Sequence, residues 1–433
     1  MMQKVIDVCT RVEGHGNVKI YIQNDEISNV EFEILAFRGF ENILIGKKLS
    51  DVPKIVSRIC GLCHASQTIV SCKSIEEMYN IKANQQSVLV RRLLMAGELL
   101  KSHSMHYFFQ SFPDLLNIFK IYTKPIDIYD LIKYNPQLTS HIYEIIKIGN
   151  DIDKLFGGRS IHAITPIPGG VIYRPSRKRI IIVEKYFLRV LSNLEWIIKN
   201  FIDLFSKFNP PEDFIIPNVN FLSLNNNKSY DRYDGILTIK KGLAEYQDFR
   251  LEEYIDYFDK YPTIRGIDFT DKNHNYLVGP ISRNQVVESY GSDEISGYLS
   301  LFDEKWRNNI LYASFLNLIE MYVESQNSLK ILEDPILKST IPLPNLKSII
   351  SREGIGVVEA PRGSLIHHYR INKRNVLKEA KLFIATEINI ALINDMISNY
   401  ARKLYEKKDL NKVKKEIQKI IRAFDPCISC ATH

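Results

Sequence analysis

The stretch Arg58-Ile59-Cys60-Gly61-Leu62-Cys63 has a counterpart far along the chain, Asp425-Pro426-Cys427-Ile428-Ser429-Cys430-Ala431-Thr432-His433. Two cysteines separated by two residues point their sulfurs the same way and chelate one ion from a turn. Two such pairs make a four-sulfur site. By spacing alone structural zinc fits as well as any other ion. Zinc ribbons and fingers close short loops, however, and a site that clamps distant segments of a large chain suits a buried catalytic metal. The chain has six cysteines, Cys9, Cys60, Cys63, Cys72, Cys427 and Cys430, and no secretion signal, so a disulfide framework is not expected. Cys9 and Cys72 belong to neither pair and read as small buried side chains.

Between the pairs the pattern is mostly helical. Gln85 to Phe112 is apolar at helical spacing and is expected to end before Pro113. Asp127 to Phe156, Arg177 to Phe208 and Asp303 to Leu332 read as further helices, as do Ile388 to Lys407 and Leu410 to Phe424. Residues 18–36 alternate apolar and polar about Asn24-Asp25, a β-hairpin signature. Residues 210–300 read as a small β-rich excursion, and Gly354 to Ile371 as two strands around Pro361-Arg362-Gly363. Pro426 is expected to stop the last helix and leave the second cysteine pair in a turn. The fold class is therefore mainly α with smaller β regions (α+β), in a single domain over residues 1–433. No internal repeat or low-complexity tract is found.

Composition excludes several classes. Apolar residues at 45% and charged residues at 25% are ordinary globular values, which removes a disordered, collagenous or rod-like chain. The net charge of +7 is mild for 433 residues, so nucleic acid is not an expected partner. The lysine-rich run from Arg402 to Arg422 is mixed with Glu406, Asp409 and Glu416 and reads as a solvated helix face. The longest apolar candidate, Ile180 to Phe208, is broken by Glu184, Lys185, Arg189, Glu195 and Lys199, so no membrane span is expected. The first residues have no apolar signal-peptide core, and a cytoplasmic location is expected.

The neighbours of the cysteines narrow the reading. Arg11-Val12-Glu13-Gly14-His15 comes first, then Phe37-Arg38-Gly39-Phe40-Glu41, then the first cysteine pair. A loop with Gly157-Gly158-Arg159, His162 and Pro168-Gly169-Gly170 follows, then Glu359-Ala360-Pro361-Arg362-Gly363 and the second pair. In this order, over essentially the whole chain, the sequence resembles the large subunit of the nickel–iron hydrogenases. The resemblance implies a helical large-subunit core and reversible heterolytic cleavage of dihydrogen. It implies nickel held by Cys60, Cys63, Cys427 and Cys430, with Cys63 and Cys430 bridging to an iron that carries cyanide and carbon monoxide. Soft thiolates suit a nickel that must change redox state.

The same resemblance assigns further roles. Glu13 matches a proton relay beside the terminal thiolate of Cys427, whereas His15 matches only a turn. Arg362, with Asp425 as its carboxylate partner, matches a cation over the open face of the metals. Leu365 would help wall the carbon monoxide, and Thr386 would hydrogen-bond a cyanide. Glu41, the Leu382 carbonyl and His433 would hold a magnesium ion. The two remaining cysteines cannot bind an iron–sulfur cluster, so an iron–sulfur small subunit is the expected partner and electron exit. The N-terminal segment, the first cysteine pair and the helix after it are the expected contact face.

Two departures from the family pattern stand out. Gln67 occupies a position where a histidine is usual, and Ser102 one where an aspartate is common in uptake enzymes. His64, directly after Cys63, is also unusual. Two other readings compete: a four-thiolate zinc scaffold, and a relative of the quinone-site subunit of respiratory complex I. The latter resembles this family without its cysteines, and all four are present here.

Overall fold

The computed structural model describes every residue except 1, 35–37, 174–175, 243–244, 257, 260–267, 270–274, 340, 347 and 433. Phe37 and His433, both named above, therefore lie outside the described residues. The N-terminal sheet is antiparallel, with β1 (Met2–Val8), β2 (Gly16–Gln23) and β3 (Glu26–Ile34) in that order. Asn24 and Asp25 take left-handed φ values of 51° and 63°, the geometry a two-residue hairpin turn requires. The buried residues Val18, Ile20 and Ile22 form the inner face. Strand β1 adds to the expected hairpin.

Helix α1 (His64–Met78) starts directly from Cys63, its N-cap residue. Helix α2 (Gln85–Met105) starts at Asn84, whose side chain accepts the Ser87 N–H at 2.8 Å. The helical run does not end with it before Pro113. A wide π-helical stretch, His106–Ser111, leads into a helix at Phe112–Ile118 with Pro113 in its first turn. There a missing N–H leaves no bond unmade. The helix expected over Asp127 to Phe156 is broken at Asn135-Pro136 into Ile128–Tyr134 and α3 (Pro136–Gly157). A Cβ on Gly149 would sit 2.8 Å from the Gly97 carbonyl, so α2 and α3 cross in close contact because both are glycine there. Helix α4 (Arg177–Phe205) follows.

The excursion is a four-stranded sheet of β4 (Val219–Asn225), β5 (Ile236–Lys241), β6 (Glu245–Phe249) and β7 (Asn275–Leu277), in the order β7-β4-β5-β6. It ends earlier than expected. Pro280–Val286 and Asp293–Ser300 are helical, the first opened by Pro280, whose fixed φ favours a helix start. The helix expected from Asp303 is likewise interrupted, and α5 spans Ala313–Glu333.

Strands β8 (Glu353–Ala360), β9 (Gly363–Ile371) and β10 (Leu377–Phe383) form an antiparallel sheet, one strand more than expected. Ile355, Val357, Ile366 and Phe383 share a second core with Leu222, Leu224, Leu237 and Ile239 of the excursion. On the other side β8 lies flush on α1. A Cβ on Gly356 would come 2.5 Å from the Val70 carbonyl and 2.7 Å from the Ser74 nitrogen. The Ser74 hydroxyl donates to the His367 carbonyl at 2.8 Å. Helices α6 (Ala385–Tyr405) and α7 (Leu410–Ala423) close the chain, followed by a helical turn at Ile428–Ala431. The architecture is mainly α with smaller sheets, as the sequence indicates.

Candidate metal centre

The four paired cysteines converge. Their sulfurs all lie within 4.8 Å of one another, and all four residues are buried. Cys60 Sγ is 3.5 Å from Cys427 Sγ, Cys63 Sγ is 2.9 Å from Cys430 Sγ, and the two C-terminal sulfurs are 2.7 Å apart. The first pair is presented by the turn that enters α1, the second by the turn that leaves α7. Asp425 makes that exit possible with a left-handed φ of 49°, which an aspartate tolerates better than most residues.

Without metal the cluster holds its protons unevenly. Hydrogen bonds from Cys427, Cys430 and Cys63 hold the Cys60 thiol well below its usual pKa, with help from the Arg362 charge. Burial pushes Cys427 and Cys430 up. At Cys63, hydrogen bonds from Cys427 and Cys430 pull downward, but contact with Cys60 and burial prevail, and it rises to about 11. A cation entering the cluster must therefore displace protons. Four buried, convergent sulfurs with a nearby guanidinium form a soft donor set that fits a redox metal.

Glu13 meets the second pair through both backbone and side chain. Glu13 and Cys427 form an isolated parallel bridge, and the Ile428 N–H donates to the Glu13 carbonyl at 3.0 Å. Cys427 Sγ lies 3.1 Å from Glu13 Oε2, which also accepts the Ser429 N–H at 3.0 Å. The Ser429 hydroxyl donates to Oε1 at 2.5 Å. Gly14 next to it has φ 90°, and a Cβ there would press on Ile428. His15 is exposed.

Arg362, in the turn between β8 and β9, donates from Nε to the Asp425 carbonyl at 2.9 Å and from Nη2 to Asp425 Oδ1 at 3.0 Å. Its Nη1 donates to Ser102 Oγ on α2 at 3.2 Å. Thr386 Oγ1 accepts the Cys427 N–H at 2.9 Å, which leaves its own O–H proton to donate. Leu365 is buried on β9. Glu41 Oε1 accepts the Leu382 N–H at 2.7 Å, so these two residues from the expected magnesium site are adjacent.

Sequence reasoning missed the groups that hold these in place. Arg283 is fully buried and donates to both oxygens of Glu320 at 2.6 Å, to Glu359 Oε2 at 2.8 Å and to the Ala360 and Pro361 carbonyls. It thereby fixes the turn that carries Arg362. His103 Nε2 lies 2.8 Å from Glu320 Oε2. Arg38 donates to the Ile59 and Ser429 carbonyls, one in each cysteine segment, and to Thr432 Oγ1. Glu359 and Arg38 lay within motifs and His103 directly follows Ser102, the position where an aspartate is common; nothing in the sequence marked Arg283 or Glu320.

The profile of the nickel-dependent hydrogenase family matches residues 38–145 and 315–433. Over 463 aligned residues the chain is 28% identical to the NAD-reducing hydrogenase HoxS subunit beta of Cupriavidus necator, covering 99% of this chain and 94% of that one. It is 27% identical to the sulfhydrogenase 2 subunit alpha of Pyrococcus furiosus, covering 99% and 98%. The fold superposes on the crystal structure of an NAD+-reducing [NiFe]-hydrogenase in the H2-reduced state with a TM-score of 0.92, at 25% identity, over 100% of this chain and 99% of that one. A Ni-Fe-Se hydrogenase from D. vulgaris Hildenborough shares the fold at a TM-score of 0.75 and 19% identity, over all of both chains.

The chain belongs to the nickel-dependent hydrogenase family. Its activity is that of a nickel–iron hydrogenase catalytic subunit, which cleaves dihydrogen reversibly to protons and electrons at a centre held by four cysteine thiolates. The zinc-scaffold and quinone-site readings are set aside.

Proposed function

We propose that Cys60 and Cys427 are terminal nickel ligands and that Cys63 and Cys430 bridge nickel to an iron bearing cyanide and carbon monoxide. The single observation that carries this is the convergence of four buried sulfurs with a carboxylate 3.1 Å from one of them, Cys427. When bound, the metals supply the electron-pair acceptor for heterolytic splitting of dihydrogen.

The chain's own residues handle the proton and the charge. Cys427 Sγ receives the proton and passes it to Glu13 Oε2, within direct reach. Ser429 keeps the carboxylate aimed at the sulfur through its N–H and hydroxyl. Arg362, oriented by Asp425 and Ser102, presents a fixed positive charge to the site in a setting shielded from water. Thr386 anchors the Cys427 backbone and offers its O–H to a cyanide, while Leu365 walls the carbon monoxide. An apolar crevice lined by Val278, Pro280, Ile281, Ile310 and Ala313 reaches Arg362 and Asp425 and suits a small apolar gas.

Glu41, the Leu382 carbonyl and His433 would hold a magnesium ion. The chain acts as one domain over residues 1–433, in the cytoplasm, with an iron–sulfur small subunit as electron exit. No helix among the described residues is long and apolar enough to cross a membrane. Helix α1 is buried within the chain along nearly its whole length, so it offers little contact face. The exposed Ile6 and Val8 of β1, with Ile43 and Ile45, fit an apolar partner surface better.

Elemental analysis and infrared spectroscopy of the purified complex test the reading. Nickel and iron together, with absorptions of metal-bound diatomic ligands and dihydrogen-dependent dye reduction, are expected. Zinc at the four sulfurs and no such absorptions would sink it.

A further inference from the structure

Gln67 lies one turn into α1 from Cys63, on the same face. Its Nε2 is 4.0 Å from Cys63 Sγ, the outer reach of a hydrogen bond to sulfur. Its Oε1 is 2.9 Å from His367 Nε2 on β9. His367 Nδ1 is 2.7 Å from the Tyr369 hydroxyl, and that hydroxyl is 3.1 Å from Ser71 Oγ. Ser71 is again on α1, one turn beyond Gln67. The chain of contacts leaves the helix, crosses to the sheet through two alternate residues of one strand face, and returns. Gln67, Ser71, His367 and Tyr369 are each at most 1% exposed. The glycines of β8 bring this sheet close enough to α1 for the crossing.

The direction of the protons follows from the sulfur end. A metal-bound thiolate has no proton and only accepts. Gln67 must then turn its NH2 toward Cys63 and its Oε1 toward His367. An amide oxygen also only accepts, so His367 carries its proton on Nε2. A neutral imidazole then accepts at Nδ1, and Tyr369 supplies the O–H. Burial pushes the Tyr369 pKa up, so that proton is retained. The Ser71 hydroxyl rotates to donate to the tyrosine oxygen. Every bond in the relay points at Cys63.

We propose that His367 is a positioning residue for the metal centre: it locks the Gln67 amide with its N–H on the bridging sulfur of Cys63 and so draws electron density from that thiolate. This rests on the reading above, in which Cys63 bridges nickel and iron. Without the imidazole donor the amide is free to present its oxygen to the sulfur, and the bond becomes a repulsion. The pair His367 and Gln67 thus does at the sulfur what a directly bonded histidine would do, but with a group that cannot itself take up a proton.

Infrared spectra of the intact complex decide it, because metal-bound carbon monoxide and cyanide report the electron density on the iron. His367→Met, which keeps bulk and loses both nitrogens, is expected to move these bands to lower wavenumber with nickel and iron content unchanged. His367→Gln places an amide N–H near the position of Nε2 and is expected to restore the parent bands. Tyr369→Phe removes one oxygen and is expected to move the bands the same way by less. A His367→Met spectrum that coincides with the parent overturns the proposal, as does a His367→Gln shift as large as that of His367→Met. If His367→Met takes up no metal, Tyr369→Phe decides alone: unmoved bands overturn the proposal and a downward shift supports it. If the parent itself lacks such bands, the nickel–iron reading and this inference fall together. Parent bands that no variant moves remove only the inference.

Discussion

Replacing Arg283 by methionine removes a buried cation that two carboxylates share. The side chain is 1% exposed, Glu320 and Glu359 are 0% exposed, and the guanidinium reaches them at 2.6 to 2.8 Å. Methionine fills the space of the alkyl stem but leaves both acids without their cation. Removing one partner of a buried ion pair costs about 3–5 kcal/mol. Unfolding entropy is about 2.1 cal/mol/K per residue, or about 0.9 kcal/mol/K for a chain of this length. The melting temperature should fall by about 3–6 °C at pH 7.5. The deficit should shrink toward pH 5. Glu320 and Glu359, deprived of Arg283, gain raised pKa values in the fold, and a raised carboxylate weakens the fold most where the unfolded chain is ionised. Differential scanning calorimetry at the two pH values measures both effects. Because Arg283 also holds the Ala360 and Pro361 carbonyls, dihydrogen oxidation should drop further than metal content. A melting temperature within about 1 °C of the parent at pH 7.5 would refute the assignment of this network as a support of the Arg362 turn.

Glu13→Gln should retain nickel and iron yet lose isotope exchange between D2 and water, which mass spectrometry reads directly; exchange at the parent rate would remove Glu13 from the proton path. The His103 contribution to stability should fall as pH drops from about 6.5 to 4, against an opposite contribution from Glu98, Glu324 and Glu359, whose pKa values burial raises. Burial holds His103 down at about 4, so the unfolded chain takes up a proton that the fold refuses, a difference worth about 3 kcal/mol. Denaturant melts of the parent and of His103→Asn across that range measure it as the difference between the two, and the same slope in both would count against it. Gly356→Ala should destabilise by about 1–3 kcal/mol, because its methyl would meet α1 backbone rather than a flexible side chain. Urea melts give the value, and a neutral result would mean that β8 can lift from α1.

The parts of the site carried by short contiguous motifs were readable from the chain. The two cysteine pairs need only a turn each, and Glu13, Arg362 and Asp425 sit within motifs that the family resemblance covers. What could not be read was how side chains from unrelated elements meet. Arg283 follows a glycine-proline turn in a stretch that reads as β, and its partners come from α5 and β8. No periodicity links them. The helices were legible in position but not in continuity. Pro113 looked like a stop, yet proline in the first turn of a following helix is tolerated, and the widened turn before it leaves no local pattern. Strands β1 and β10 were missed because each takes its register from a neighbour rather than from its own alternation.

The partners in the cluster, Cys60 and Cys427, are 367 residues apart in sequence. A metal ion bound to both is a fastener as well as a reactive group. Closing a loop of that length in the unfolded chain removes conformational freedom worth about 6 kcal/mol. Most of the molecule lies inside the loop, so the ion restrains almost the entire unfolded ensemble. Loss of metal from either cysteine pair would therefore weaken regions far from the centre, and the holoprotein should resist proteolysis at surface loops that never approach the sulfurs.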